Sequence, residues 1–414
     1  MKASSVAGTI EKQTGIHPKH RGISNLLAFA LLPLSGFATD VYLPSLPGMA
    51  TDLQVSGIQV QFTITVFLVS YGVSQLFIGS ILDSYGRYRT GLISLFVFAL
   101  ASLVAATTHS LYMIYFMRVV QGITVGAVVA GKRAFFVDLY TGDQLKSYLG
   151  LFSIIWSTGP IIAPFVGGYL QTLFGWRANF YFLAGLGAGL GILEWLFSGE
   201  TLPQRTPFHI KRVVNIYKDM LTTLPFVLGI TMLGLSYAMV MVCNMTAPFI
   251  IEHHLQFDAV TTGYCSLILG FAWMVGGFIS KGTIRHPFFR KLTINTGLQL
   301  FFILAMLLCM QFADNLYALV GFAFMVHVGA GYTFNNYMTF SMTRFPQNAG
   351  IASGLTGGLT FLMVSGLSYS IANLFPAQDG RNLGLSYLVL VVLVIVVLFL
   401  AKRSSEEVRN PAMA

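Results

Sequence analysis

Residues 57–108 read GIQVQFTITVFLVSYGVSQLFIGSILDSYGRYRTGLISLFVFALASLVAATT. Two apolar runs, 57–82 and 90–108, flank the polar turn Asp83-Ser-Tyr-Gly86-Arg87-Tyr-Arg89. Each run approaches or exceeds the ~20 apolar residues that carry a helix across hydrocarbon. The turn between them is too short for anything but a helix–helix connector. Runs of this kind recur along the whole chain: 23–46, 57–82, 90–108, 111–138, 148–170, 178–198, 224–252, 259–282, 289–312, 315–343, 348–374 and 383–401. They predict an all-α membrane protein of about twelve transmembrane helices.

Composition excludes the other classes. The 414 residues are 55% hydrophobic and 9% charged, with a mean hydropathy of +0.72. A soluble domain carries about 25% charged residues, so this chain lacks the charge to cover a water-facing surface. Disordered chains are charge-rich and aromatic-poor, whereas aromatics here reach 14%. The three cysteines, Cys243, Cys265 and Cys309, lie inside apolar runs. Their odd number and lack of paired spacing point to buried thiols rather than a disulfide framework or zinc site. No cleavable signal is read, because the first 22 residues are polar and basic and the apolar run after them is too long.

The net charge of +9 follows from topology rather than from nucleic acid. With both termini on one side, nineteen of the 24 Lys and Arg residues fall on that side. Arg177 and Arg381 fall opposite, and Arg118, Lys132 and Arg133 lie within a span. The positive-inside rule then puts both termini in the cytoplasm. The longest internal polar stretch, 198–223, reads SGETLPQRTPFHIKRVVNIYKDMLTT and divides the spans six and six. Its IKRVVNIYKDM segment has amphipathic spacing and is expected to lie along the cytoplasmic interface. The expected divisions are a tail (1–22), a six-helix bundle (23–198), a linker (199–223), a second bundle (224–401) and a tail (402–414). Each half has a basic loop after its second helix, DSYGRYR in the first and KGTIRHPFFRK in the second. Two pseudo-symmetric six-helix bundles imply a cavity where they meet, the architecture of alternating-access transporters.

Intramembrane polar residues mark candidate sites. Asp40 is the carboxylate deepest in an apolar run. A bare carboxylate in hydrocarbon is costly, so it is expected to face the cavity and to carry a proton for part of a cycle; the other reading is a helix-end residue ordering the first two spans. Arg118 cannot shed its proton and needs a carboxylate or carbonyl partner at that depth, unless it snorkels to the surface. Lys132 lies fourteen residues further on, within ~40° of the same helix face, and Arg133 lies ~60° to the other side. Together they suggest an electropositive wall and an anionic or zwitterionic substrate, such as a siderophore. Pairing with Asp138 or snorkelling remains open for both. In the second half, Asn244, Tyr332, Asn335 and Asn336 are candidate substrate contacts, with the two adjacent amides able to donate and accept. Tyr237, Phe334 and Tyr337 stand among them, and His327 reads as a packing residue. The His253-His254 pair after Glu252 is a weak metal candidate. No Walker loop is present in the sequence, so direct ATP drive is not expected.

Several segments together resemble one family. Gly79-Ser-Ile-Leu-Asp83-Ser-Tyr-Gly86-Arg87-Tyr-Arg89 is similar to the loop signature G-x-x-x-D-R-x-G-R-R of the major facilitator superfamily. Arg118-Val-Val-Gln121-Gly122 resembles its fourth-helix motif, and Gly150, Gly159, Ala163-Pro164 and Gly167-Gly168 resemble its fifth-helix antiporter signature. Asp40-Val-Tyr-Leu-Pro44, Trp176-Arg177-Ala-Asn-Phe180, Glu200-Thr-Leu-Pro203 and Ala349-Gly-Ile-Ala-Ser353 resemble the bicyclomycin-resistance (Bcr/CflA-type) branch of drug:proton antiporters. Ser84 and Tyr88 replace usual basic residues, and Lys132 replaces a small apolar one. The resemblance implies an inner-membrane exporter that exchanges a small molecule for protons, with Asp40 and Arg118 coupling. It implies gating by Asp83, Gly86 and Arg87, and a dry hinge at the fifth-helix residues, for which a small-residue helix contact is the simpler reading. The expected partners are a small-molecule substrate and the bilayer, with no nucleic acid and no obligate protein partner. The proton gradient is expected to supply energy without a cofactor. A proton-coupled importer and a non-transporting sensor with the same fold are the rival readings.

Overall fold

A computed structural model describes residues 15–202, 204–205, 210–345 and 349–409. The expected tails and linker fall partly outside these residues, Lys2, Lys12 and Pro203 included. Among the described residues every regular element is helical. Twelve helices are long and apolar enough to cross a membrane: α1 (Arg21–Asp52), α2 (Gly57–Tyr85), α3 (Arg87–Thr107), α4 (Leu111–Leu139), α5 (Gly142–Phe174), α6 (Arg177–Phe197), α7 (Leu224–His254), α8 (Ala259–Gly282), α9 (Phe288–Cys309), α10 (Leu316–Met342), α11 (Ile351–Leu374) and α12 (Gly380–Ser404). The end that carries both termini is called the basic end, and the other the far end.

Local chemistry sets the helix boundaries. Ser56 and Gln59 form a reciprocal capping box at the start of α2, which satisfies backbone donors left open at a helix N-terminus. Ser110, Asp258 and Asn315 cap α4, α8 and α10 by accepting from Met113, Thr261 and Ala318 backbone N–H groups. Gly86 closes α2 at φ +98°, a conformation that L side chains rarely adopt.

The first span departs from the continuous run 23–46. Its helical segments are Arg21–Ala30, Leu34–Asp40 and Leu46–Asp52, with a 3-10 turn at Leu43–Ser45. Pro33, Pro44 and Pro47 lack the N–H that would continue the ladder. Asp40 therefore ends a helical segment inside the span.

The repeat is visible in the packing. In the first half α2 and α3 pack on α4, α3 on α6, and α1 on α5. Adding six to each label gives the second half: α8 and α9 on α10, α9 on α12, and α7 on α11. Between the halves α2 lies against α11 and α5 against α8, contacts that the same shift interchanges. Glycines bring these backbones together. A Cβ on Gly72 would meet the Gly358 carbonyl oxygen at 2.8 Å, and one on Gly168 would meet the Ala259 carbonyl oxygen at 2.5 Å. Small residues permit such approaches where no hydrophobic force distinguishes helix from lipid. The linker helix Ile210–Leu221 is docked on protein rather than lying free along the interface. Met220 is 1% exposed and clusters with Phe226 and Ile230 of α7 and Ala352 and Leu355 of α11.

Candidate functional site

The deepest charges lie where α1, α2 and α4 meet. Asp40 is 1% exposed and Arg118 fully buried. The two are close enough for Coulombic attraction, yet no direct ion pair forms. Arg118 Nη1 donates to the Ala38 carbonyl and to Gln121 Oε1, each at 2.8 Å, and Nε donates to the Thr63 carbonyl at 3.4 Å. Its guanidinium stacks over Phe67 and Tyr42, 4.2 and 4.8 Å from the ring centroids. Gln121 is fixed in turn by donating to Ser102 Oγ at 2.7 Å, and the Tyr42 hydroxyl lies 2.9 Å from Thr63 Oγ1. Asp40 Oδ1 and Arg118 Nη2 have no hydrogen-bond partner. A buried unpartnered carboxyl oxygen costs free energy and is chemically a place to hold a proton. Arg118 supplies a fixed positive charge tied to the backbone two residues before Asp40. Expected at the wall of a water-filled cavity, Asp40 is instead sealed from solvent in this conformation.

The fifth-helix signature packs against both bundles. A Cβ on Gly159 would meet the Pro33 carbonyl oxygen at 2.6 Å, and one on Gly167 would overlap the Val41 carbonyl oxygen at 1.5 Å. Those contacts grip α1 on either side of Asp40. Gly168 and Pro164 face α8, where a Gly263 Cβ would meet the Pro164 carbonyl oxygen at 2.9 Å. Ala163 is fully buried. Gly150 has nothing within 4 Å of its Cβ position, so it takes no part in this contact.

At the basic end Arg87 Nη1 reaches Asp138 Oδ2 at 2.5 Å and Nη2 reaches Asp83 Oδ1 at 3.1 Å. Glu200 caps the N-terminus of α3, its carboxylate receiving the backbone N–H groups of Arg87 and Tyr88 at 3.1 and 3.3 Å. Gly86 permits this approach, since a Cβ there would meet Glu200 Oε2 at 2.4 Å. These contacts all lie within the first bundle and do not latch it to the second.

Lys132 also departs from expectation. It is buried and ion-paired with Glu194 of α6, so the pair spans the first bundle and Lys132 does not offer a free cation to substrate. Arg133, one residue on and so about 100° around the helix, does face the second bundle, where Nη1 donates to Ser353 Oγ of α11. The electropositive ladder loses its middle rung.

The second-half candidates divide similarly. Asn244 lines a cavity of about 10 Å³ with Cys243, Cys265 and Leu319 inside the second bundle. The Tyr332 hydroxyl lies 2.9 Å from Thr283 Oγ1, bracing α10 against the end of α8. Asn336 is 6% exposed and Asn335 half-buried; each donates its amide at 2.8 Å to a carbonyl one turn back, Tyr332 and Gly331. Neither Asn244 nor Tyr332 is thus placed toward the first bundle. His327 is buried, 3.3 Å from the Tyr387 hydroxyl. His254 pairs with Asp314 at 2.9 Å, and no group of three metal-ligating side chains occurs among the described residues.

The interface instead carries an aromatic lattice. Tyr71 of α2 meets Phe361 of α11 at 4.7 Å between centroids, Phe361 meets Tyr237 at 5.8 Å, and Tyr237 meets Trp273 and Phe334 at 5.7 and 6.1 Å. Tyr237 lies within Coulombic range of Asp40. The far end is closed over this lattice by Gln61 donating to the Met245 carbonyl at 2.8 Å and by the Tyr169 and Tyr264 hydroxyls, 2.9 Å apart.

Comparison with known proteins agrees with this architecture. Residues 28–368 match the family model described as Major Facilitator Superfamily. Multidrug resistance protein D of Escherichia coli is 30% identical over 396 residues, 94% of this chain and 98% of that protein. A bicyclomycin resistance protein homolog of Haemophilus influenzae is 36% identical over 168 residues, 41% of this chain and 42% of its own. Among solved structures, a D-xylose-proton symporter matches with a TM-score of 0.72 at 15% identity, covering 91% of this chain and 97% of that one. The human organic anion transporter MFSD10 matches at 0.61 and 19%, covering 92% and 100%. These two likenesses establish the fold alone. The family match over residues 28–368 and the similarity to multidrug resistance protein D along nearly the whole chain show, with the twelve spans and the paired bundles, that the chain belongs to the major facilitator superfamily, and its two named relatives match the bicyclomycin-resistance (Bcr/CflA-type) branch.

Proposed function

We propose that the chain exports a small molecule across the bacterial inner membrane in exchange for protons, by alternating exposure of the inter-bundle interface. The observation that carries this reading is the sealed Asp40 carboxyl, with one oxygen unpartnered and Arg118 committed to carbonyl and amide acceptors rather than to it. An acid locked in an ion pair is held in its charged form, whereas among the described residues no cation is bonded to the Asp40 carboxyl. In this reading Asp40 carries the proton, Arg118 holds a constant positive charge beside it, and α5 transmits movement of its α8 contact to α1 through Gly159 and Gly167. Both termini are cytoplasmic, as the basic loops suggest.

The substrate surface is the aromatic lattice of Tyr71, Phe361, Tyr237, Trp273 and Phe334, joined by the half-buried Asn335. Such a surface suits a compact aromatic or apolar compound. The anionic alternative, a siderophore among them, draws on the ladder of Arg118, Lys132 and Arg133, whose middle member Glu194 neutralises.

The test is proton movement in proteoliposomes holding a pH dye, with a compound selected by thermal shift from cationic drugs and anionic chelators. Export predicts that substrate moving one way drives protons the other. Protons and substrate moving in the same direction support the importer, and substrate movement without protons contradicts coupling.

A further inference from the structure

Opening at the basic end requires α2 to leave α11, because these helices meet there backbone to backbone. A Cβ on Gly354 would touch the Gln75 carbonyl oxygen at 3.0 Å, and one on Gly358 would touch the Gly72 carbonyl oxygen at 2.8 Å. Backbone contacts of this kind fix distance but carry no latch. Side-chain hydrogen bonds from Arg133 and Tyr217 bridge the bundles at this end. Arg133 of α4 donates to Ser353 of α11 and lies 6.0 Å from the Phe152 ring of α5. Tyr217 of the linker helix donates to the Leu76 carbonyl of α2 at 2.6 Å.

The linker helix belongs by packing to the second bundle. Met220, Ile216 and Tyr217 share a cluster with Phe226 and Ile230 of α7 and with Ala352 and Leu355 of α11. Only two residues separate its end at Leu221 from α7 at Leu224, so it cannot swing away independently. Tyr217 is therefore an arm fixed to one bundle and bonded to the other, and its hydroxyl stands 3.7 Å from the Gly354 Cβ position, over the α2–α11 junction. Burial pushes the Tyr217 phenol up to about 12, so the hydroxyl keeps its proton as a donor at every pH in a cell. Asp83 and Arg87 bond within the first bundle and move with it.

We propose that the basic-end gate of the transport cycle is the pair of cross-bundle bonds Arg133–Ser353 and Tyr217–Leu76, with the linker helix acting as a strap across α2 and α11. Both bonds break when the interface opens toward this end. The strap sets how readily the interface opens, and Arg133, freed from Ser353, becomes the first charge that a compound entering from the basic end meets. The proposal rests on the alternating-access reading but is measured without substrate or proton gradient, so the two fail separately.

The experiment uses the full chain in nanodiscs with Cys309→Ser and spin labels at Tyr85→Cys and Ile284→Cys, exposed basic-end positions in opposite bundles. A second preparation carries labels at Tyr112→Cys and Tyr317→Cys, exposed far-end positions. Tyr217→Phe removes one hydrogen bond and Arg133→Gln a charge-assisted one. Each is expected to raise the ratio of long to short basic-end distances, roughly two- to tenfold for Tyr217→Phe and more for Arg133→Gln. The combination exceeds either alone, and the far-end distances do not lengthen, which also reports an intact fold. Unchanged basic-end distances in both variants overturn the proposal, as does equal lengthening at both ends.

Discussion

The pairing of Lys132 with Glu194 makes a quantitative demand on stability. The two side chains are 9% and 2% exposed, and Glu194 Oε2 already lacks a partner. Lys132→Met keeps the aliphatic stem beside Phe135 and removes the charge, which strands a carboxylate between α4 and α6. Removing one partner of a buried pair costs about 3–5 kcal/mol, whereas replacing both by well-packed apolar groups is about neutral or stabilising. Lys132→Met and Glu194→Leu should therefore each cost about 3 kcal/mol or more, and the double variant should recover most of that. The assay is reversible unfolding of the four purified proteins in mixed micelles by a denaturing detergent, read as a double-mutant cycle. A coupling energy of at least about 2 kcal/mol is expected, with export retained in the double variant. A Lys132→Met protein within about 0.5 kcal/mol of the parent that has lost export of an anion would refute this reasoning and return Lys132 to the substrate.

Gly167→Ala places a Cβ 1.5 Å from the Val41 carbonyl oxygen, where ordinary contact begins near 3.4 Å. The shift of roughly 2 Å between α1 and α5 should cost at least ~1–3 kcal/mol and lower the thermal midpoint. Gly150→Ala, with open space around it, should be neutral or stabilise by up to about 1 kcal/mol; equal effects at the two sites would contradict the packing role. Asp258, in the loop before α8, is held below the usual carboxylate range first by the Thr261 hydroxyl and then by its backbone N–H. A folded value below the unfolded ~3.9 means that its stabilisation is complete above pH ~4 and fades as pH falls through the folded value. Asp258→Asn, which keeps a capping oxygen, should flatten the acid limb of a melting-temperature profile by a degree or two, and an unaltered limb would count against the cap.

Helix number was legible because apolar length alone decides a membrane crossing. The break in α1 was not read, although Pro33, Pro44 and Pro47 announce it, since hydropathy does not register a lost hydrogen bond. Asp40 and Arg118 were legible as a buried acid and base on solvation grounds. Arg118's acceptors were not, because the Ala38 carbonyl becomes available only through the bend in α1. The helical wheel gave the direction of Lys132 about α4 but not which helix stands in that direction. Its partner sits in the GILEWLF run of the sixth span, and no local signal joins the two. Glu200 was noticed as part of a motif, while its capping of α3 depends on the chain returning across that helix N-terminus. The lattice draws Tyr71, Tyr237, Trp273, Phe334 and Phe361 from five helices, so its grouping exists only in the tertiary structure.

Proton coupling turns on whether Asp40 carries the proton. Asp40→Asn, reconstituted with the compound found by thermal shift, separates the coupled from the uncoupled motion. The neutral amide should still support counterflow, in which labelled substrate outside exchanges with unlabelled substrate inside, because the bundles can close around a group that mimics the protonated acid. A pH gradient should no longer drive net accumulation. Gradient-driven accumulation at the parent rate in Asp40→Asn would contradict the account.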